Sequence, residues 1–356
     1  MLPRLAVAVL LCVHAASAGP LGRQGAPFKA ALTEKCSSKD STEYILKFPS
    51  PVKSPFPAND VVWGRWSVPR AVPGPYPAVL ILPIMAAPNQ WIESQFMKRL
   101  LRGGFAVLLL ETPYQFHRRP RKGIPSGQVF LARTAKHLAF NFRQSVLDGK
   151  RALAWLRGNP QVMKNDIGIL GVSLGALAGA SLYSVDKTPS YAVFLLGGAD
   201  FPSLVENSSM TGKFARHWGI AESALREAFS GLDPLSYRKQ NGGKKALLIN
   251  AAWDDVIPKE NAELLREAFP SSRQMWVPLG HYGSMLHMVW LPGYVEKAFA
   301  KHLNRISGGP RPVRRTAGDG GRGSRAVYIP WMLGIAAVAA VTVKVAFASR
   351  KATNRK

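Results

Sequence analysis

The most constraining stretch of the sequence is residues 167–184, which read IGILGVSLGALAGASLYS. A short apolar run, a turn bounded by Gly171 and Gly175, and a segment of small residues with helical character follow one another there. Side chains at the two glycine positions would crowd so tight a turn, and glycine has no Cβ to clash. The pattern therefore predicts a strand, a sharp turn and a helix, with the Ser173 hydroxyl raised at the apex.

A raised serine is typical of nucleophilic chemistry, but its hydroxyl needs a base, and the base needs an acid that orients it. The predicted base is His281, in a glycine-flanked loop after the last predicted strand, and His287 is its rival. The predicted acid is Asp254, which follows a buried strand and lies four residues before a proline. The neighbouring Asp255, and Asp200 at the end of the preceding strand, remain alternatives for the acid.

The oxyanion that forms when a serine attacks a carbonyl must be met by backbone N–H groups. One predicted donor is the amide of Leu174, the residue after the serine, at the start of a helix. The second is expected from the loop at residues 83–87, at Ile84 or Met85. This loop contains no glycine, so bulky side chains restrict how closely its backbone can approach a substrate.

The loop at residues 111–120, ETPYQFHRRP, follows another buried strand and carries Arg118 and Arg119. Two interpretations stay open for these arginines. They are either ordinary surface charges or anion-binding groups, because ligands bind at the carboxyl ends of parallel strands.

Short apolar runs alternate with helix-like stretches throughout residues 59–303. The runs that predict strands are residues 61–68, 78–82, 105–110, 167–170, 192–196, 246–250 and 274–278. The stretches that predict helices are residues 89–102, 126–157, 259–269 and 284–303. This order predicts an α/β domain with a mostly parallel central sheet flanked by helices. Residues 201–240 interrupt the alternation and predict a helical cap insertion.

The residues before this domain predict two further segments. Residues 1–18 carry a basic residue, an apolar run and a small-x-small motif. These features are typical of a cleaved secretory signal peptide, with a mitochondrial transit peptide as the alternative. Residues 19–58 are polar and rich in proline, and they predict a loosely packed lead-in.

The residues after the domain predict a membrane anchor. Residues 304–325 form a basic Gly/Pro/Arg-rich linker that cannot build a core. Residues 326–343 contain no charged side chain, and Lys344 can extend its amine to the membrane interface, so residues 326–348 predict a transmembrane helix. Residues 349–356 form a basic tail. We therefore expect a single-pass membrane protein that lies in the secretory pathway or on the periplasmic face of a membrane.

Charge and composition limit the expected partners. The formal net charge is +26, and twelve of the 47 Lys and Arg residues lie from residue 301 onward beside one acid, Asp319. Such a surface favours anionic partners. No nucleic-acid-binding motif is present, so we expect anionic lipid rather than nucleic acid, with a merely solvated basic surface as the alternative.

Two cysteines, Cys12 and Cys36, supply no internal disulfide framework once the predicted signal peptide is removed. No metal-ligand cluster and no cofactor motif stands out, so neither a metal nor a cofactor is expected. The chemistry would then depend on side chains and backbone amides.

The turn that raises Ser173, the predicted acid and the predicted base follow one another in that order within residues 60–303. This order resembles the α/β-hydrolase superfamily. Within it, the E-x-P-Y-x-x-x-R-R-P loop, the helical stretch at residues 144–156 and the GVSLG turn resemble the α/β-hydrolase domain-containing protein 18 family. The resemblance implies the α/β-hydrolase fold and a lipid-type ester or acyl substrate.

The sequence supports three functional hypotheses. The first is a membrane-anchored serine hydrolase that cleaves carboxylic esters or thioesters through an acyl-enzyme. The second is an acyltransferase that uses the same three residues, with an alcohol as acceptor. The third is a hydrolase fold without catalytic activity that serves as a binding module.

Overall fold

The computed structural model describes residues 7–11, 21 and 27–303, with the backbone alone described for residues 7–11. The strands of this part of the chain are β1 (Val7–Leu11), β2 (Phe28–Ser37), β3 (Ser41–Pro49), β4 (Val61–Pro69), β5 (Tyr76–Leu82), β6 (Ala106–Leu110), β7 (Val162–Val172), β8 (Tyr191–Leu195), β9 (Ala246–Ala251) and β10 (Arg273–Val277). They form one sheet in the order β1-β2-β3-β4-β6-β5-β7-β8-β9-β10.

The sheet is antiparallel from β1 to β6 and parallel from β6 to β10 along this order. Strands β5, β6, β8 and β9 are buried at every residue, as expected for apolar strands covered on both faces. Because the parallel strands share a direction, the residues that follow β5, β7, β8, β9 and β10 meet at one edge of the sheet. Ser173, Asp254 and His281 all follow strands at this edge.

Helices cover both faces of the sheet. The helices are α1 (Trp91–Arg102), α2 (Ala135–Gly158), α3 (Leu174–Val185), α4 (Phe201–Asn207), α5 (Gly212–His217), α6 (Glu222–Ala228), α7 (Lys259–Ala268) and α8 (Leu291–His302). Helices α1 and α8 contribute to the apolar core on one face, and α2, α3 and α7 contribute to the core on the other. The predicted α/β class with a mostly parallel sheet is confirmed.

The predicted cap insertion corresponds to the connection between β8 and β9, which contains the short helices α4, α5 and α6. The rings of Phe201 and Phe229 in this connection pack against Phe142 of α2, with centroids 4.8 and 5.7 Å away. The amide of Ser209 donates to the backbone oxygen of Asp255 at 2.8 Å. The insertion is thus fixed both to the domain and to the loop that carries the predicted acid.

The prediction of a loosely packed lead-in at residues 19–58 is wrong for most of its length, because β2 and β3 lie there. Leu46 and Phe48 of β3, together with Phe28 and Ala30 of β2, are buried in the core. The prolines and polar residues around these short alternating stretches hide the pattern. The predicted closing helix at residues 284–303 is also divided, into a 3₁₀ segment, Gly283–Val289, and α8.

The predicted end segments are only partly within the described residues. Residues 7–11, inside the predicted signal peptide, pair with β2, and the cleavage itself stays a prediction. The predicted linker, transmembrane helix and tail lie outside the described residues. Among the residues described, no helix is long and apolar enough to cross a membrane.

Candidate active site

Ser173 occupies a strained turn between β7 and α3. Its φ of 51° and ψ of −117° are rare for a residue with a side chain. A Cβ on Gly171 would lie 2.3 Å from the oxygen of Gly175, and a Cβ on Gly175 would lie 2.0 Å from the oxygen of Leu82. Both glycines are therefore required, the first for the tight turn and the second for the close approach of α3 to the end of β5.

Ser173, His281 and Asp254 form a hydrogen-bonded row. Ser173 Oγ lies 3.1 Å from Nε2 of His281, and Nδ1 of the same ring lies 2.8 Å from Oδ2 of Asp254. A carboxylate at Nδ1 favours the tautomer with its proton there, which leaves the Nε2 lone pair for the serine proton. The three side chains are nearly buried, so this arrangement can activate the serine hydroxyl away from bulk water.

The loop after β9 brings Asp254, rather than the other candidate acids, to His281. Oδ1 of Asp254 accepts hydrogen bonds from the amides of Val256 and Ile257, at 2.9 and 2.8 Å. These bonds fix the carboxylate so that it faces His281. The neighbouring Asp255 is exposed, and it is Asp254 that meets the histidine.

The other two rivals are placed differently. Asp200 directly precedes α4, and its Oδ1 lies 3.4 Å from Nη1 of Arg226 in an ion pair. His287 accepts a hydrogen bond at Nδ1 from the indole N–H of Trp290. The structure brings neither of them into the row with Ser173.

The structure corrects one of the predicted oxyanion donors. The amide of Ile84 donates to Oε1 of Glu93 at 3.0 Å, so this N–H is already engaged. The amide of Met85 has no protein acceptor among the described residues. Leu174 is the first residue of α3, where an N–H has no acceptor within the helix. Leu174 and Met85 therefore remain as candidates.

Two residues next to this loop were not recognised in the sequence, Glu93 and Gln115. Both are fully buried, and the Gln115 side chain bonds to Ile84 and Ala86. Burial raises the pKa of Glu93 to about 7, and the Ile84 N–H opposes that rise. Glu93 lies in the first turn of α1, where acids are common because they favour a helix N-terminus. Its sequence position therefore gave no sign of a role near the site.

Anion binding by Arg118 is contradicted by its burial. Its guanidinium is completely buried and forms a 2.8 Å ion pair with Asp148 of α2. It also donates to the backbone oxygens of Asn59, at 3.1 and 2.6 Å, and Glu111, at 3.0 Å. Arg118 thus ties the loop after β6 to the rest of the domain and has no face open to a ligand.

Arg119 is also used within its own loop, because Nε donates to the oxygen of Phe116 at 2.8 Å. Its second contact is the oxygen of Ile124, at 3.4 Å. The contacts of Arg119 thus serve loop structure.

In the described part of the chain, no group of three His, Cys, Asp or Glu side chains is arranged to hold a metal ion.

A set of exposed apolar side chains, the apolar rim, belongs to the loops of Asp254 and His281 and to the segment that follows His281. We define this rim as Trp253, Tyr282, Leu286, Val289 and Trp290, all of which are exposed. Trp253 directly precedes the acid, and the ring centroid of Tyr282 lies 5.5 Å from that of the base. Large apolar side chains that are exposed so close in sequence to a candidate site are typical of a surface that contacts an apolar ligand or membrane.

Comparison with solved structures supports this architecture. An acetyl xylan esterase from Paenibacillus sp. R4 is 16% identical, with a TM-score of 0.59 over 75% of this chain and 88% of that one. Acetyl xylan esterase 1 from Thermoanaerobacterium sp. is 16% identical, with a TM-score of 0.55 over 74% and 87%. A cold-adapted esterase from an Arctic intertidal metagenomic library is 14% identical, with a TM-score of 0.53 over 76% and 97%.

This structural similarity, together with the position of Ser173 in the turn after β7, identifies the fold. The chain has the α/β-hydrolase fold. Identities this low establish the fold alone.

The comparisons by sequence cover a smaller part of the chain. The family model for the BAAT/acyl-CoA thioester hydrolase C-terminal region matches residues 150–246. This segment contains Ser173 but ends before Asp254 and His281. No curated protein matches the chain. Membership of the α/β-hydrolase domain-containing protein 18 family is not confirmed by these comparisons.

Proposed function

We propose that this protein is a serine hydrolase that cleaves carboxylic ester or thioester bonds. The observation that carries the proposal is the continuous row from Ser173 Oγ through the His281 ring to the Asp254 carboxylate, with separations of 3.1 and 2.8 Å. A fold kept only for binding has no need of a strained, buried serine aligned with a base and an acid.

The reaction follows from the positions of these groups. Ser173 Oγ attacks the acyl carbon while Nε2 of His281 takes its proton, and Asp254 stabilises the resulting imidazolium. The amides of Leu174 and Met85 hold the oxyanion. His281 then gives the proton to the departing alcohol or thiol, and the acyl-enzyme remains. Water, activated by the same base, releases the carboxylic acid and restores Ser173.

The apolar rim supports an acyl group longer than acetyl as the substrate of this reaction. Its most exposed members are Trp253 and Val289, at 70% and 81% exposure. Each buried methylene contributes about 0.8 kcal/mol to binding in water. The family model that matches the segment around Ser173 is described by thioester hydrolysis, which supports thioesters as well as oxygen esters.

We therefore expect the wild-type protein to hydrolyse p-nitrophenyl octanoate with a higher kcat/KM than p-nitrophenyl acetate, and to cleave an octanoyl thioester. The double variant Leu286→Ser/Val289→Ser should lower the octanoate-to-acetate ratio about fivefold, which corresponds to about 1 kcal/mol of lost apolar contact. The measurement is steady-state kinetics with both esters.

The matched control is Val61→Ser, another exposed apolar residue outside the rim, which should leave the ratio unchanged. An unchanged octanoate-to-acetate ratio in the rim variant would show that the rim does not contribute to the preference for longer acyl groups. A folded wild type that hydrolyses none of these substrates would count against the hydrolase proposal itself.

The proposal includes attachment to a membrane through residues 326–348. Its support is the sequence of this segment, which has no charge before Lys344, and the net charge of +26. Two aspartates near the middle of the segment would cost about 5–7 kcal/mol of insertion free energy. We expect the wild type to stay with membranes during alkaline carbonate extraction, and the full-length variant Ile335→Asp/Val338→Asp to be released. Equal retention of both proteins would exclude this anchor.

A further inference from the structure

The loop that should supply the second oxyanion donor, residues 83–87, is held on both sides of Met85. Before it, the Ile84 N–H donates to Oε1 of Glu93 at 3.0 Å, and the Ile84 oxygen accepts from Nε2 of Gln115 at 3.1 Å. After it, the Ala86 N–H donates to Oε1 of Gln115 at 3.0 Å. The Met85 N–H is left between these contacts without a protein acceptor among the described residues.

The Gln115 side of this arrangement is rigid. Its side chain is fully buried and also bonds to the Thr112 hydroxyl. The loop that carries Gln115 is fixed by the guanidinium of Arg118 and by a 3.0 Å bond from the Tyr114 amide to the side-chain oxygen of Asn59. The position of Gln115 is thus determined by long-range contacts.

The Glu93 side belongs to a different element, helix α1, which packs on the sheet through Phe96 and Leu100. Two separate elements, helix α1 and the loop after β6, therefore hold the same three-residue segment. Ala86 has a φ of 60°, a conformation that needs such support in a residue with a side chain. Gly127 packs directly against it, since a Cβ there would lie 2.9 Å from the Ala86 nitrogen.

We propose that Glu93 and Gln115 are positioning residues that hold residues 84–86 so that the Met85 N–H serves as the second oxyanion donor. This inference rests on the proposed hydrolase function. It also accounts for a loop without glycine, because external side chains supply the backbone placement that glycine would otherwise allow. Neither residue touches the substrate.

The test compares near-isosteric variants that remove the polar contacts, Glu93→Met and Gln115→Met, with the conservative variant Glu93→Gln. Glu263→Met, the same exchange at an exposed position of α7, is the control. Each full-length protein is titrated with a fluorophosphonate to count active sites, and kcat and KM are measured with p-nitrophenyl octanoate. Thermal melting reports folding.

We expect kcat per titrated site to fall about 10–100-fold in Glu93→Met and Gln115→Met, with KM changed less than about threefold, because an oxyanion donor acts mainly in the transition state. Glu93→Gln keeps an acceptor for the Ile84 N–H and should recover kcat to within about threefold of wild type. Gln115→Met tests the loop independently if Glu93→Met does not fold.

Three results would overturn the inference. These are wild-type kcat in both methionine variants, a loss explained wholly by fewer titrated sites, and a Glu93→Gln variant as slow as Glu93→Met. A wild-type protein that neither reacts with the fluorophosphonate nor hydrolyses the ester would instead reject the proposed function. The two failures are therefore distinguishable.

Discussion

Replacing Ser173 with alanine should reduce ester hydrolysis by at least about 10⁴-fold in kcat, since removal of the nucleophile leaves only binding and oxyanion stabilisation. The fold should persist, because the change deletes one oxygen atom at a nearly buried position. The comparison is kcat for p-nitrophenyl octanoate in wild type and variant, with circular dichroism to verify folding.

Asp254→Asn sharpens the same expectation. The asparagine oxygen can still accept from the amides of Val256 and Ile257, which now bond to Oδ1 of Asp254. Its NH₂ group would then face Nδ1 of His281 and favour the wrong tautomer, with a proton on Nε2 where the serine proton must go. We expect a loss of about 10⁴-fold in kcat with little change in stability.

Asp255→Asn is the control for this substitution, because Asp255 is the exposed neighbour in the same loop. Its kcat should stay within about threefold of wild type. A larger loss of kcat for Asp255→Asn than for Asp254→Asn would show that Asp255, and not Asp254, is the catalytic acid, which would contradict the geometry of the site.

The largest expected effect on stability belongs to Arg118→Met. The substitution leaves the Asp148 carboxylate buried without its cationic partner and removes the donors to the oxygens of Asn59 and Glu111. Burial already raises the pKa of Asp148, and Arg118 is the strongest influence that lowers it. Breaking a buried pair typically costs about 3–5 kcal/mol of unfolding free energy, which urea denaturation can measure.

Arg119→Met is the matched control, because its side chain contacts only carbonyls of its own loop among the bonds described. It should cost less than about 1 kcal/mol. The double variant Arg118→Met/Asp148→Leu should lose about 1–3 kcal/mol less unfolding free energy than the two single variants lose in sum, because no unpaired charge remains buried. Additive losses, or a cost below about 1 kcal/mol for Arg118→Met, would disprove the importance of this pair.

Much of the fold was predictable because its signals are local. Most of the parallel strands contain a short apolar run, and the turn at Ser173 is flanked by the two glycines that its geometry requires. Asp254 and His281 could be placed near Ser173 because each follows a strand of a parallel sheet, and such strands end at one edge. The pairing of His281 with Asp254 thus follows from topology together with one local motif for each residue.

The missed features depend on contacts between distant residues. Arg118 follows a strand as an anion-binding residue would, and only its contacts with Asn59 and Asp148 show that it is buried. Glu93 and Gln115 carry no local pattern that marks them as supports of another loop. Strands β2 and β3 were missed because charged and polar residues weaken their alternation and prolines surround them, and their pairing with each other and with β4 supplies the order that local sequence does not.

The most direct test of Ser173 as the nucleophile is covalent labelling of the full-length protein with a fluorophosphonate, followed by mass spectrometry of the intact chain and its peptides. We expect one adduct per chain on the peptide that contains Ser173, formed in the wild type and absent from Ser173→Ala. A folded wild type that takes up no adduct, or an adduct that persists on another serine in Ser173→Ala, would contradict it.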